Sequence, residues 1–179
     1  MRRSRAQTTI DFAIGAGVFL LAVAFVVAFI PGMLDPYEGI QRETVTADRV
    51  ATQLSTDLLG DPNEPYTLDT DCTVAFFGDT SPTTCRFTGS DLTERISVGD
   101  TQSVDVMLVA DLDDDDAATT LCWDTDSESL VEEGAAVCDV DELLVEQTSD
   151  PPTDTGSVVV AHRIVSLANT DVTLLVRMW

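Results

Sequence analysis

The chain has 179 residues, with 9 Lys+Arg against 32 Asp+Glu, a formal net charge of −23 and a sequence pI of about 4.1. That charge leaves no basic footprint for phosphate, which argues against DNA or RNA as a partner. A hydrophobic content of 44% with clear periodicity excludes a disordered acidic tail. Every positive residue is Arg, and the acids are dispersed along the chain. This is the pattern of a halophilic surface, which stays hydrated in concentrated salt, where its self-repulsion is screened.

Arg2, Arg3 and Arg5 precede Ala6-Gln7-Thr8-Thr9-Ile10-Asp11, and an uncharged apolar run from Phe12 to Ile30 follows. As a helix rising about 1.5 Å per residue the run reaches roughly 28 Å, close to the ~30 Å core of a bilayer. It is longer than the apolar core of an ordinary secretory signal and has no A-x-A site after it. The arginines before it place the N-terminus in the cytoplasm and the remainder outside. Asp11 at the mouth of the run is costly without a partner. It is either solvated among headgroups, paired with Arg5, or paired in trans.

The stretch Arg5-Ala6-Gln7-Thr8-Thr9-Ile10-Asp11-Phe12 resembles the class III signal peptide of archaeal type IV pilins and pilin-like or pseudopilin-like proteins. The resemblance covers about the first thirty residues. It departs from the commoner pattern at Ala6 for Gly, Thr9 for Ser and Asp11 for Glu, each a change within one chemical type. It implies cleavage between Ala6 and Gln7 by a prepilin-peptidase-like enzyme and a new α-amino group on Gln7. It further implies that Asp11 pairs with that amine on a neighbouring subunit. The apolar helix would then serve as membrane anchor and filament core, with other pilin-like subunits and a type IV pilus assembly machinery as partners.

Pro31-Gly32 is expected to break or kink the helix, with Met33 to Tyr37 a connector. From Glu38 to Leu59 an amphipathic helix resumes, with Val45, Val50, Leu54 and Leu58 near one stripe, and Gly60-Asp61-Pro62 stops it. Beyond Tyr66 the period turns to two. Strands are expected over Thr67 to Phe77, over Glu94 to Val98 and Gln102 to Leu112 around a Gly99-Asp100 turn, and over Ser157 to Leu167 and Val172 to Trp179 around Ala168 to Asp171. Gly78 to Thr84 and Thr148 to Gly156 read as loops. The expected fold is α+β: a leader (1–6), a transmembrane helix (7–30), a kink and amphipathic helix (31–60) and an antiparallel β-rich head of five to seven strands (61–179).

Cys72, Cys85, Cys122 and Cys138 all fall on the predicted outside, where disulfides persist. Four cysteines allow three pairings, of which Cys72–Cys85 with Cys122–Cys138 is the sequence-local one. No C-x-x-C spacing supports zinc. Asp111, Asp113 and Asp115 alternate in the densest acidic run and offer oxygens to Ca²⁺, but the glycine and distal Glu of an EF-hand loop are missing, and a solvated loop is the plainer expectation. His162, the single histidine, reads as a half-buried strand residue in step with Val158, Val160 and Ile164. Trp123 is expected in the core. No nucleophile, phosphate-loop or zinc-protease motif occurs, and no cofactor is implied. The expectation is a non-enzymatic, membrane-anchored subunit of a surface filament or secretion system. The alternative is a monomeric signal-anchored binding or sensing domain.

Overall fold

A computed structural model describes the backbone of all residues except 1–3, 79, 81, 100, 114–116, 140–141 and 153–157, and the side chains of those described apart from 4–9 and 30–42. The chain divides into two compact units, Met1–Gln41 and Arg42–Trp179. The first helix, α1 (Ser4–Gln53), contributes to both.

In the first unit, Ile10–Phe29 is long and apolar enough to cross a membrane, with a mean hydropathy of 2.7 and no part of it buried. Its backbone stays helical through Pro31 and Gly32, so the helix is not broken there, and the segment expected as a connector is helical too. A proline removes one N–H from the ladder; the bonds on either side suffice to carry the helix past it.

In the second unit α1 becomes one-sided. Ala47, Val50, Ala51, Leu54 and Leu58 are buried, at the i, i+3, i+4, i+7 spacing of an amphipathic face. Val45, expected in that stripe, is 71% exposed. The last turn widens into a π-helix, Leu54–Leu58, closed by the Leu59 amide on the Leu54 carbonyl at 3.0 Å. Thr52, Ser55 and Thr56 hydroxyls bond back to carbonyls three or four residues earlier, competing with the regular ladder. The chain then folds sharply over this turn. A Cβ on Gly60 would lie 2.8 Å from the Ser55 carbonyl oxygen, so the position needs glycine.

Two elements expected as strands are helices. Thr70–Phe77 forms α2, capped by Asp69, whose carboxylate accepts the Cys72 amide at 2.9 Å. Leu92–Ile96 forms α3, capped by Asp91, which accepts the Glu94 amide at 3.0 Å. Glu94 in turn accepts the Ser90 amide at 3.0 Å. At the other end Ser97 is left-handed (φ 54°), and the Ser97 and Val98 amides close on the Glu94 and Thr93 carbonyls. End caps at both termini outweigh the β-branched composition that favours strands. Thr67 and Leu68 contribute only isolated bridges, and Gly99 heads a local turn to Gln102 rather than a strand hairpin.

The remainder is an antiparallel sheet of six strands: β1 (Val104–Ala110), β2 (Thr119–Asp124), β3 (Ser129–Glu132), β4 (Val145–Gln147), β5 (Val159–Leu167) and β6 (Thr170–Met178). The order is β3-β2-β1-β6-β5, with β4 also beside β1. The α+β fold with an antiparallel β-rich head is therefore as expected. Ala168 and Asn169, with φ of 50° and 66°, make a two-residue turn between β5 and β6, tighter than the four-residue connection expected. One core joins Val50 and Leu54 of α1, Phe76 of α2, Phe87, and Val106, Leu108, Leu174 and Val176 of the sheet. Phe76 and Phe87 meet edge to face at 5.3 Å. Arg95 lies 5.9 and 5.8 Å from their centroids, and its guanidinium donates to the Phe76 carbonyl near the end of α2. Trp123 is buried with this core.

Candidate functional site

The N-terminal segment is the first candidate. The backbone is helical at Ala6 and Gln7, whose side chains lie outside the described residues. Asp11 is exposed on the same helix. Around it and after it every large apolar side chain faces outward, with Phe12 77% and Leu21 72% exposed. Gly15 and Gly17 have nothing within 4 Å of a built Cβ, so this stretch of helix offers close approach to a neighbour.

The cysteines pair as Cys72–Cys85 and Cys122–Cys138, with Cα atoms 5.5 and 5.7 Å apart. The first ties the start of α2 to the segment holding Phe87; the second ties β2 to the loop after β3. Their loops span 13 and 16 residues, worth about 3 kcal/mol each in the chain-entropy account.

The acidic loop after β1 has a partner the sequence did not indicate. Carboxylate oxygens of Asp111, Asp113 and Glu132 lie within 4.8 Å of one another. Glu132 comes from β3 and accepts the Leu112 amide at 2.6 Å and the Asp113 amide at 3.3 Å. Asp115 falls outside the described residues. Spacing along the loop singles out alternate aspartates; Glu132 joins them only through β2–β3 pairing, which a one-dimensional pattern does not carry. One Glu132 oxygen is already engaged by backbone amides. The cluster offers hard oxygen ligands, but Asp113 is exposed, and the hydrogen bonds of Glu132 hold the loop against β3.

His162 is exposed, not half-buried, and so are Val158, Val160 and Ile164, the residues it alternates with. The inner face of β5 is instead the one carrying Ala161, Val165 and Leu167. Arg163 on that face reaches α1, donating to Asp48 Oδ1 at 2.6 Å and Thr52 Oγ1 at 2.9 Å. No Ser, Thr or Cys side chain hydrogen-bonds to His162 among the described residues.

The one buried ion pair of the described residues lies across β1 and β6. The Asp105 side chain is fully buried and accepts Arg177 Nε on Oδ2 at 2.7 Å, with a second bond from the same guanidinium. Its Oδ1 has no partner. Burial pushes the Asp105 carboxyl above the ordinary range, and the Arg177 hydrogen bond and charge pull against that shift. Asp91 and Asp124 shift the other way, lowered first by the Thr93 and Ser127 hydroxyls and then by backbone amides. These are structural groups: a strand staple, a helix cap and a turn.

An apolar membrane-length helix followed by a disulfide-stapled α+β head defines the class. Residues 3–179 match the model of DUF7287, a family of unknown function, and the chain belongs to that family. No curated protein and no solved structure matches it.

Proposed function

We propose that the protein is a pilin-like or pseudopilin-like subunit of a type IV pilus-related surface filament or secretion system. It is anchored with its N-terminus in the cytoplasm and its head outside the cell. The observation that carries this reading is the order of parts at the N-terminus: arginines, Ala6-Gln7, Asp11, and then an apolar helix exposed on all sides. A helix moving from lipid into a bundle of like helices loses no apolar burial. Its transfer is close to neutral except at Asp11, whose charge needs a partner. The new amine of Gln7 on a neighbour supplies one. Leaving either charge unpaired in the bundle costs about 3–5 kcal/mol, so the pair sets the register of assembly. The acidic head supports an external, salt-rich setting, and its disulfides support an oxidising one.

Asp11→Ala separates anchor from assembly. Expressed in its native host, the variant should insert into the membrane at the wild-type level and fail to enter sheared filaments or cross-linked assemblies. Wild-type assembly by Asp11→Ala refutes the pairing role.

A further inference from the structure

β5 forms one margin of the sheet, and among the described residues its outer edge is bridged at Ser166 and unpaired from Ile164 back. The two-residue turn closes the hairpin at Leu167 and Thr170, and such a turn puts the closing pair in mutual hydrogen bonds. Counting back by twos, Val165, Arg163 and Ala161 bond inward to β6. Ser166, Ile164, His162 and Val160 turn their N–H and C=O groups outward. Ser166 shows the parity directly: its amide donates to the Tyr66 carbonyl at 2.8 Å, and its carbonyl accepts the Leu68 amide at 2.8 Å. There the cover ends, since Tyr66 is left-handed (φ 63°) and turns the preceding chain away. Among the described residues, no backbone group meets the amides of Ile164, His162 or Val160.

The same residues present exposed side chains. Val160 is 43% exposed and Ile164 73%. Of the devices that usually guard an edge strand, β5 has an inward-pointing charge, Arg163, and loop cover at Ser166 alone; it has no lysine or proline and pairs without a bulge along its length. Its one full charge, Arg163, is held by Asp48 and also donates Nη1 to the His162 carbonyl at 2.8 Å. Electrostatics makes the edge more distinctive. In a chain with 32 acids, none lies between Asp154 and Asp171.

We infer that β5 pairs antiparallel with β5 of a second copy of this chain, about a two-fold axis at His162, joining two heads through one continuous sheet. In that register His162 faces His162 of the second copy, and Val160 faces Ile164. Val160 and Ile164 donate and accept across the axis, His162 donates its amide to a carbonyl that also accepts Arg163 Nη1 of its own chain at 2.8 Å, and exposed Val and Ile side chains cover one another. The occupant is a second copy because charge selects it. β5 itself carries no acid and the carboxylate beside it, Asp48, is neutralised by Arg163, so two acidic heads meet there with little repulsion. Molar salt, with a screening length of about 3 Å, leaves the hydrogen bonds and apolar contact to decide. The contact belongs to the head and does not depend on the filament reading.

The test uses the full-length chain in detergent micelles at molar NaCl, followed by sedimentation velocity. The wild type should sediment as a dimer. His162→Pro removes an amide that the fold itself does not use, which an edge strand tolerates, and should sediment as a monomer with a wild-type circular-dichroism spectrum. Should His162→Pro lose its fold, Ile164→Lys decides, since it places a charge on the edge without touching the backbone. Asp11→Ala should leave the dimer intact, which keeps this contact distinct from any assembly through the anchors. A monomeric wild type overturns the proposal, and so does a dimer that survives in the folded edge variant.

Discussion

The apolar span Ile10–Phe29 and the head meet their surroundings in opposite ways. The span shows apolar side chains on every side and has none of its length buried. The head hides Val104, Leu108, Leu174 and Val176 completely and spends its surface on carboxylates. One helix passes from the first regime to the second. Its residues become one-sided only in the second unit, where Ala47, Val50, Ala51 and Leu54 turn inward. Water enforces amphipathic patterning, because an apolar group left wet costs about 25 cal/mol per Å². The absence of such patterning over Ile10–Phe29 is what a membrane anchor and a signal sequence have in common. The head needs a core to hold its shape; the span needs only its own backbone bonds and an apolar environment.

Removing a central core side chain should therefore injure one region and spare the other. Phe76 is fully buried and packs against both Phe77 and Phe87. Phe76→Ala should cost the head about 3–5 kcal/mol, read as a fall in its denaturation midpoint in detergent. Helical signal from the N-terminal span should persist after the head unfolds. A concerted loss of both would break the distinction.

A smaller effect follows from the ion pair between β1 and β6. Arg177→Met leaves the buried Asp105 carboxylate without its cation. The loss should be about 2–3 kcal/mol, below the 3–5 of a wholly buried pair, because the Arg177 side chain keeps 31% exposure. The pH dependence has a definite sign. Asp105 is raised above 3.8 in the fold, so on acidification the folded state takes up a proton before the unfolded chain does. Its ionisation penalty is present above the folded value and is relieved as the pH falls toward 3.8. Asp91 and Asp124 are lowered, so their stabilisation is present above 3.8 and is lost as the pH falls through their folded values. As the pH falls from neutral toward that point, the melting temperature of the wild type should rise relative to that of Asp105→Asn. Identical pH profiles would show that Asp105 does not titrate differently in the fold.

The smallest change sharpens the account of α3. Ser97 is held left-handed at the helix C-terminus, where glycine pays no steric penalty. Ser97→Gly should be neutral or raise the melting temperature slightly, within about 1 kcal/mol. A clear loss of stability would mean that the serine hydroxyl, and not the backbone, matters there.

What could be read from residues alone follows from how local the governing physics is. The apolar span, the alternation of β1 and the sequence-local disulfides were legible, since each depends on neighbours in the chain. α2 and α3 were misread as strands because threonine and valine spoke for extended backbone, while Asp69 and Asp91, each placed to cap a helix, spoke more decisively. β5 was legible as a strand but not in orientation. Val158, Val160 and Ile164 alternate as well as Ala161, Val165 and Leu167 do, and only the packing of α1 and the sheet decides which set is inside. Glu132 was invisible beside Asp111 and Asp113, because strand pairing brings it there.

The central claim is that the N-terminal span is an assembly helix released by cleavage after Ala6. Intact-mass measurement of the protein extracted from its native membrane tests it most directly. The account predicts a chain that begins at Gln7; a mature chain retaining residues 1–6 contradicts it and leaves a signal-anchored head in its place.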